Sequence, residues 1–375
     1  MIDKELREIK RRFRPDKNNI ARIVGCFVNE NGQILSKISQ PIGMSDSVVT
    51  EKLLSVMKKV LSGSLGTNLI NVPFSTKQVN ESEEHKLLMR LRGSGLTDGE
   101  ALSEFYTKVI ESVKLESSYV ILLSSDAYDV YKRGNDGEAN ESTETFNYII
   151  CAVCPIKNSG EGVCFRESDS LFHNVAASSL LSGPELGFMF PAFDDRRTNI
   201  YASLYYTKNI ADNHPAFCER IFDFGAPMPA KEQKRSFNEC IIETLGEECD
   251  YSTVRSIHTQ VSEMIESHKD TKVEEPLTVT KATISTVLEN CGVDPEKVKS
   301  FGEMFDGQFG TNAEIAPKNI VEVKKFELTT PDVTIKVNPD RKELVTTETI
   351  NGVQYILIRA TEGVTVNGIN IKIEK

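Results

Sequence analysis

The chain has 375 residues, 39% of them hydrophobic and 26% charged, and a formal net charge of −11. This is the composition of a globular protein long enough for more than one domain, at roughly 100–200 residues per domain. No apolar run approaches the roughly 20 residues of a membrane-spanning helix, and the acidic balance argues against a general phosphate-binding surface while leaving room for a local basic patch.

The opening MIDKELREIKRRFRP is charged from its third residue and lacks the apolar stretch of a secretory signal. A cytoplasmic location without a membrane partner is expected. Ile2, Leu6, Ile9 and Phe13 recur at helical spacing, Arg7, Lys10, Arg11 and Arg14 fall on a neighbouring face, and Pro15 stops the helix. That basic face could contact phosphate or be simply solvated. Asn31-Gly32, flanked by NIARIVGCFV and ILSKIS, predicts a hairpin. A helix is expected around 48–61 and a strand at NLINVPF.

Thr97 with Glu100 three residues on reads as a capping box for a helix buried through Leu102, Phe105, Val109 and Val113. YVILLSS and TFNYIICAVCPI read as central strands, with a long polar loop over 132–144 between them. GFMFPAF and IYASLYY are two further strands, expected to pair and to leave Asp194, Asp195, Arg196 and Arg197 as a surface loop. From about His214 the pattern becomes helical, with a polar linker near 268–279. Gly292 ends one short helix, and Asp294-Pro295 begins the next. FELTTPDVTIKV, LVTTETI, VQYILIRA, VTV and INIKI alternate as strands, with tight turns at Asn351-Gly352 and Asn367-Gly368.

The predicted class is α+β: a mixed-sheet domain over 1–213, a helical region over 214–320, and a small antiparallel β unit over 321–375. The candidate site residues are few. Asp194 to Arg197 could bind a metal, position water or clamp an anion, or be a polar connection between strands. Asp126 and Asp129 end an apolar strand, where catalytic acids are placed in open sheets and where turn-forming Asp is also common. Arg7, Arg11 and Arg14 are the candidate contacts to an acidic partner.

Cys151-x-x-Cys154, with Cys164 and His173, could be read as a zinc set, but Cys151 sits inside a strand and the pair faces opposite sides of it. No metal and no cofactor are expected, and the eight cysteines should be free thiols. The glycines of GSLG and GSG match neither a phosphate loop nor a dinucleotide fingerprint, and there is no Gly-x-Ser-x-Gly elbow.

RIVGCFV, LSGSLGTNLINVPF, ICAVCPIK, FPAFDDRRTNIYASLYYTKN, ETLGEECDY and the closing VNPDRKELV, INGVQYILI and VTVNGI carry a further signal. Through these stretches the chain resembles, over nearly its full length, the bacterial family called domain of unknown function 4317. The resemblance implies no activity, substrate or site residues. In layout alone the chain is also similar to the thirty-seven-kilodalton nucleoid-associated proteins, which implies a nucleic-acid-associated role. The expected function is a non-enzymatic binding or interaction protein with a protein or nucleic-acid partner. The alternative is a hydrolase or phosphoesterase using Asp126, Asp129, Asp194 and Asp195.

Overall fold

The computed structural model describes the chain apart from residues 134–138, 160–161, 167–170, 176–177, 226–227, 272–274, 312, 324–325, 361–362, 367–368 and 372–375, and describes no side chain in 132–143 and 158–179. Two compact units, Met1–Pro229 and Ala230–Lys375, divide it.

The strands of the first unit are β1 (Arg22–Val28), β2 (Ile34–Pro41), β3 (Leu69–Pro73), β4 (Tyr119–Arg133), β5 (Ala139–Ser159), β6 (Gly162–Arg166), β7 (Leu171–Val175), β8 (Ser178–Leu181), β9 (Leu186–Phe190), β10 (Ala192–Asp194), β11 (Arg197–Asn199) and β12 (Ala202–Thr207). Its helices are α1 (Asp3–Lys10), α2 (Ser47–Lys59), α3 (Thr76–Glu81), α4 (Glu83–Gly93), α5 (Gly99–Ser112) and α6 (Pro215–Phe222). One sheet runs in the order β2-β1-β4-β5-β9-β12-β3, with β8 added to the distal part of β5. Every pairing in it is antiparallel.

The alternation of strand side chains divides the core in two. Cys26, Ile121, Cys151 and Phe188 point to one face, and Ile23, Leu122, Ile150 and Met189 to the other. Both faces are covered, so the central strands read as nearly unbroken apolar text. Leu88 of α4, Phe105 of α5 and Phe222 of α6 close the first face. Ile9 of α1 and Leu54 and Met57 of α2 close the second. Residues of α6, grouped by sequence with the helical region, thus pack in the first unit, where the Phe222 ring stands 5.2 Å from Phe188.

Local differences from expectation have physical causes. Asp98, one residue after Thr97, caps α5 by accepting from the backbone of Glu100 and Ala101, while the Thr97 hydroxyl donates to the Ser94 carbonyl. The loop expected over 132–144 is largely strand, since β4 runs to Arg133 and β5 begins at Ala139.

The second unit packs α7 (Ala230–Leu245), α8 (Tyr251–Thr271), α9 (Lys281–Asn290), α10 (Pro295–Phe309) and α11 (Pro317–Ile320) around a core that includes Val261, Leu288, Phe301 and Phe305. The segment expected as a linker is helical up to Thr271, the end of α8. Three separate ribbons follow: β13 (Phe326–Thr329) with β14 (Thr334–Val337), β15 (Val345–Ile350) with β16 (Val353–Ile358), and β17 (Val364–Val366) with β18 (Ile369–Ile371). FELTTPDVTIKV is therefore two strands folded back at Thr330–Val333 and not one. Asn351-Gly352 makes the expected turn, with φ of 52° and 79°; Asn367-Gly368 lies outside the described residues.

Candidate functional site

The tetrapeptide Asp194–Arg197 closes a ribbon of its own. β9 pairs β12, as expected, but the chain leaves β9 at Pro191, after a cis peptide bond, and forms β10 and β11 before it returns. Asp195 and Arg196 are the two central residues of the turn, with φ of 49° and 58°. Left-handed backbone at both positions is the geometry of the tightest hairpin turns, normally written Asn-Gly. An Asp-Arg pair carries no such signal.

This turn is the seat of α1. Glu8 accepts from Arg196 Nη1 at 2.8 Å and from the Tyr128 hydroxyl at 2.5 Å. Arg196 Nη2 also donates to the Tyr131 carbonyl at 2.9 Å. Glu5, 5% exposed, accepts from the Ile2 backbone at 2.7 Å and from the Arg196 backbone at 3.3 Å. Burial raises the pKa of the Glu5 carboxyl, and Asp194 adds to the rise, against the pull of those backbone donors. The Met1 amino group donates to Asp194 Oδ1 at 2.7 Å. The expectation of a free surface loop is therefore corrected for Asp194 and Arg196, which are half-buried and bonded; Asp195 and Arg197 are exposed.

A second fastening lies at the other end of α1. Asp126, 3% exposed, accepts from the Asn19 backbone at 2.9 Å, the Ala127 backbone at 2.9 Å, the Tyr148 hydroxyl at 2.9 Å and Arg12 Nε at 3.3 Å. Arg12 also lies over the Tyr128 ring, 5.2 Å from its centroid. Beneath both fastenings the Phe193 ring packs at 4.7 Å on Phe146, which stacks at 4.9 Å on Tyr148. Asp129 stands apart, exposed, accepting from the Thr145 hydroxyl across the β4–β5 ladder at 2.7 Å.

The sequence reading missed Glu5, Glu8 and Arg12. Their spacing of three and four residues puts them on one helical face beside the apolar stripe, and that is the signal that could have found them. The helix itself is shorter than Pro15 implies. It ends at Lys10, because Phe13 turns into the core and Arg12 turns towards Asp126. Arg7 and Arg11 are exposed on the helix and at its C-cap, whereas Arg14 is exposed in the turn beyond it. Among the described residues none of the three has an ion-pair partner; Arg7 Nε donates to the Asp3 carbonyl at 3.1 Å. Lys10, half-buried at the end of α1, has its pKa lowered by burial and then by Lys58 of α2.

A family model described as domain of unknown function (DUF4317) matches residues 1–369. The chain belongs to this family. No curated protein matches it.

What this family chain can do chemically at these residues is limited by their partners. The four acids do not share the floor of one cleft: Asp126 is buried under four donors, Asp194 is half-buried, and Asp129 and Asp195 are exposed. Among the described residues no group of three or more His, Cys, Asp or Glu side chains could hold a metal ion. Cys151 and Cys154 belong to opposite core faces. Burial pushes the Cys154 thiol up to about 12 and the Cys151 thiol well above its ordinary value. Cys164 and His173 face each other in register on β6 and β7, but their side chains lie outside the described residues.

Proposed function

We propose that this chain is a non-enzymatic, cytoplasmic binding protein whose partner is a polyanion, with nucleic acid as the class tested first. One observation carries the reading: the segment formed by α1 and the turn after it sorts its charges. Glu5, Glu8 and Arg12 turn inward and are bonded to the body, while Arg7, Arg11 and Arg14 stay exposed without an ion-pair partner among the described residues. Two fastenings hold the segment still, so a phosphate contact made by these guanidiniums does not first have to order a mobile tail. Arginine suits that contact because its planar fork matches phosphate oxygens. The net charge of −11 confines attraction to this patch and argues for a small footprint.

Fluorescence anisotropy with single- and double-stranded oligonucleotides over a salt series tests the reading. Binding should weaken linearly in log salt, and the triple variant Arg7→Ala, Arg11→Ala, Arg14→Ala should reduce the slope by about 2–3. Absence of binding at low salt, or binding that ignores the triple variant, overturns it.

A further inference from the structure

In the second unit a buried lysine meets a histidine. Lys342 is 8% exposed and lies in the 3-10 segment Pro339–Leu344, which leads directly into β15. Its Nζ is 3.1 Å from His258 Nδ1 and 3.5 Å from Thr259 Oγ1, both on α8. Among the described residues no carboxylate lies within ion-pair distance of it. Phe326, the first residue of β13, completes the cluster: Nζ lies 5.7 Å from its ring centroid, and the His258 ring meets it edge-on at 5.3 Å. Tyr251, at the start of α8, packs edge-on against the same ring at 6.0 Å and donates its hydroxyl to the Lys342 carbonyl at 3.3 Å.

We propose that the Lys342–His258 contact is a latch, released by protons, that holds the root of the β15–β16 ribbon on α8. The contact needs the lone pair of His258 Nδ1 as acceptor. Ser262 Oγ is 3.3 Å from the same nitrogen but is closer, at 2.7 Å, to the His258 carbonyl, to which it donates. A protonated imidazole carries N–H on both nitrogens. It would then oppose the Lys342 ammonium donor to donor and charge to charge.

The surroundings set the direction. Burial first, then Lys342 and Lys234, hold the imidazole down to about 4, while the Glu322 carbonyl pulls the other way. Burial also lowers Lys342, aided by Arg255 and opposed by Glu266, Glu263 and Asp340. Once the latch is open, the imidazole returns towards its ordinary value of about 6.5. Protons therefore favour the open form below that pH, and neutral solution favours the closed one.

The ribbon gives the latch its consequence. Val345, at its root, is buried at 1%, but Ile350, Val353, Tyr355 and Leu357 are exposed. By register these four share one face. A two-stranded ribbon is marginal by itself, so losing the root frees the whole element, which already carries an exposed apolar face.

Hydrogen exchange of Val345–Ile358 in the full chain, compared at about pH 7.5 and about pH 5 after correction for intrinsic rates, tests the latch. The open population should rise by up to about thirtyfold on acidification. His258→Gln keeps an acceptor that does not titrate and should flatten the response. Lys342→Met keeps an apolar stem against Phe326, removes the opposing charge and should shrink it. Equal protection at both pH values in the parent chain overturns the proposal, as does a His258→Gln chain that responds like the parent. If His258→Gln fails to fold by circular dichroism, a full response in Lys342→Met overturns it.

Discussion

Arg196, at the tip of the β10–β11 ribbon, holds Glu8 of α1 through a 2.8 Å contact, although 188 positions separate the two in the chain. The pair is partly shielded, with side-chain exposures of 35% for Arg196 and 18% for Glu8. Arg196→Ala also removes the donor to the Tyr131 carbonyl and leaves Glu8 with the Tyr128 hydroxyl alone of its two donors. Its expected cost is about 1–2 kcal/mol, between the values for exposed and buried pairs. Arg197→Ala, at the exposed neighbouring position, where no ion pair is formed among the described residues, should change stability by less than about 0.5 kcal/mol. Thermal midpoints of the two variants check this contrast.

Asp195 has left-handed backbone without the freedom of glycine. Asp195→Gly relieves that strain at an exposed position and should raise stability by about 0.5–1 kcal/mol, after allowing for the added freedom of the unfolded chain. A chemical denaturation midpoint that falls instead would show that the Asp195 side chain has a stabilising role in the turn.

Asp126 is the most committed acid of the first unit. Asp126→Asn replaces one acceptor oxygen with a donor among four donors and leaves Arg12 facing a neutral amide. The expected cost is about 2–4 kcal/mol, and exchange protection in Asp3–Lys10 should fall with it. A catalytic acid at this position would predict lost activity in a stable protein, so loss of stability together with release of α1 separates the two roles.

How far the sequence spoke can be judged from these residues. The covered sheet was legible because YVILL, YIICAVC and GFMF are apolar on both alternations, which only strands buried on both faces tolerate. The Asn-Gly turn at Asn351-Gly352 was legible because its backbone demand is written in its residue types. The Asp195-Arg196 turn was not, since nothing local favours left-handed backbone there; tertiary contacts to Glu5 and Glu8 hold it. Arg7, Lys10, Arg11 and Arg14 read as one basic face, and only the fold shows that Lys10 is half-buried while the three arginines stay exposed, and that Arg12, outside that reading, turns inward to Asp126. Antiparallel pairing throughout the sheet was equally hidden, because strand direction depends on connections and not on strand composition.

Gly187 shows how closely Val60, the residue after α2, approaches the sheet. A Cβ at this position would collide with the Cys151 carbonyl oxygen and lie 3.0 Å from Val60 Cγ2. One of these is backbone of the neighbouring strand and cannot swing away. Gly187→Ala should therefore cost about 2–3 kcal/mol by overpacking, whereas Gly93→Ala, with no atom within 4 Å of the new Cβ, should not destabilise the chain. Denaturation midpoints of the two variants provide the check.

His85 predicts an acid sensitivity of the first unit. It is 1% exposed, its Nε2 lies 2.9 Å from the Ile200 carbonyl, and Phe74 and Phe190 meet its ring edge-on at 5.0 and 5.5 Å. The Nε2–H donates to Ile200, which leaves Nδ1 as a buried lone pair without a hydrogen-bond partner among the described residues. Burial lowers the imidazole pKa, and the Ile200 carbonyl only partly opposes it. The unfolded chain thus takes up a proton near pH 6.5, while the folded chain takes it up only at lower pH. Between those values the unfolded state binds more protons, so this contribution to stability is complete above about pH 6.5 and is lost as the pH falls. His85→Gln can keep a donor to Ile200 without titrating in this range. Its thermal midpoint should fall less than that of the parent chain between about pH 7.5 and about pH 5.5. Parallel declines in the two chains would show that His85 does not couple protonation to the fold.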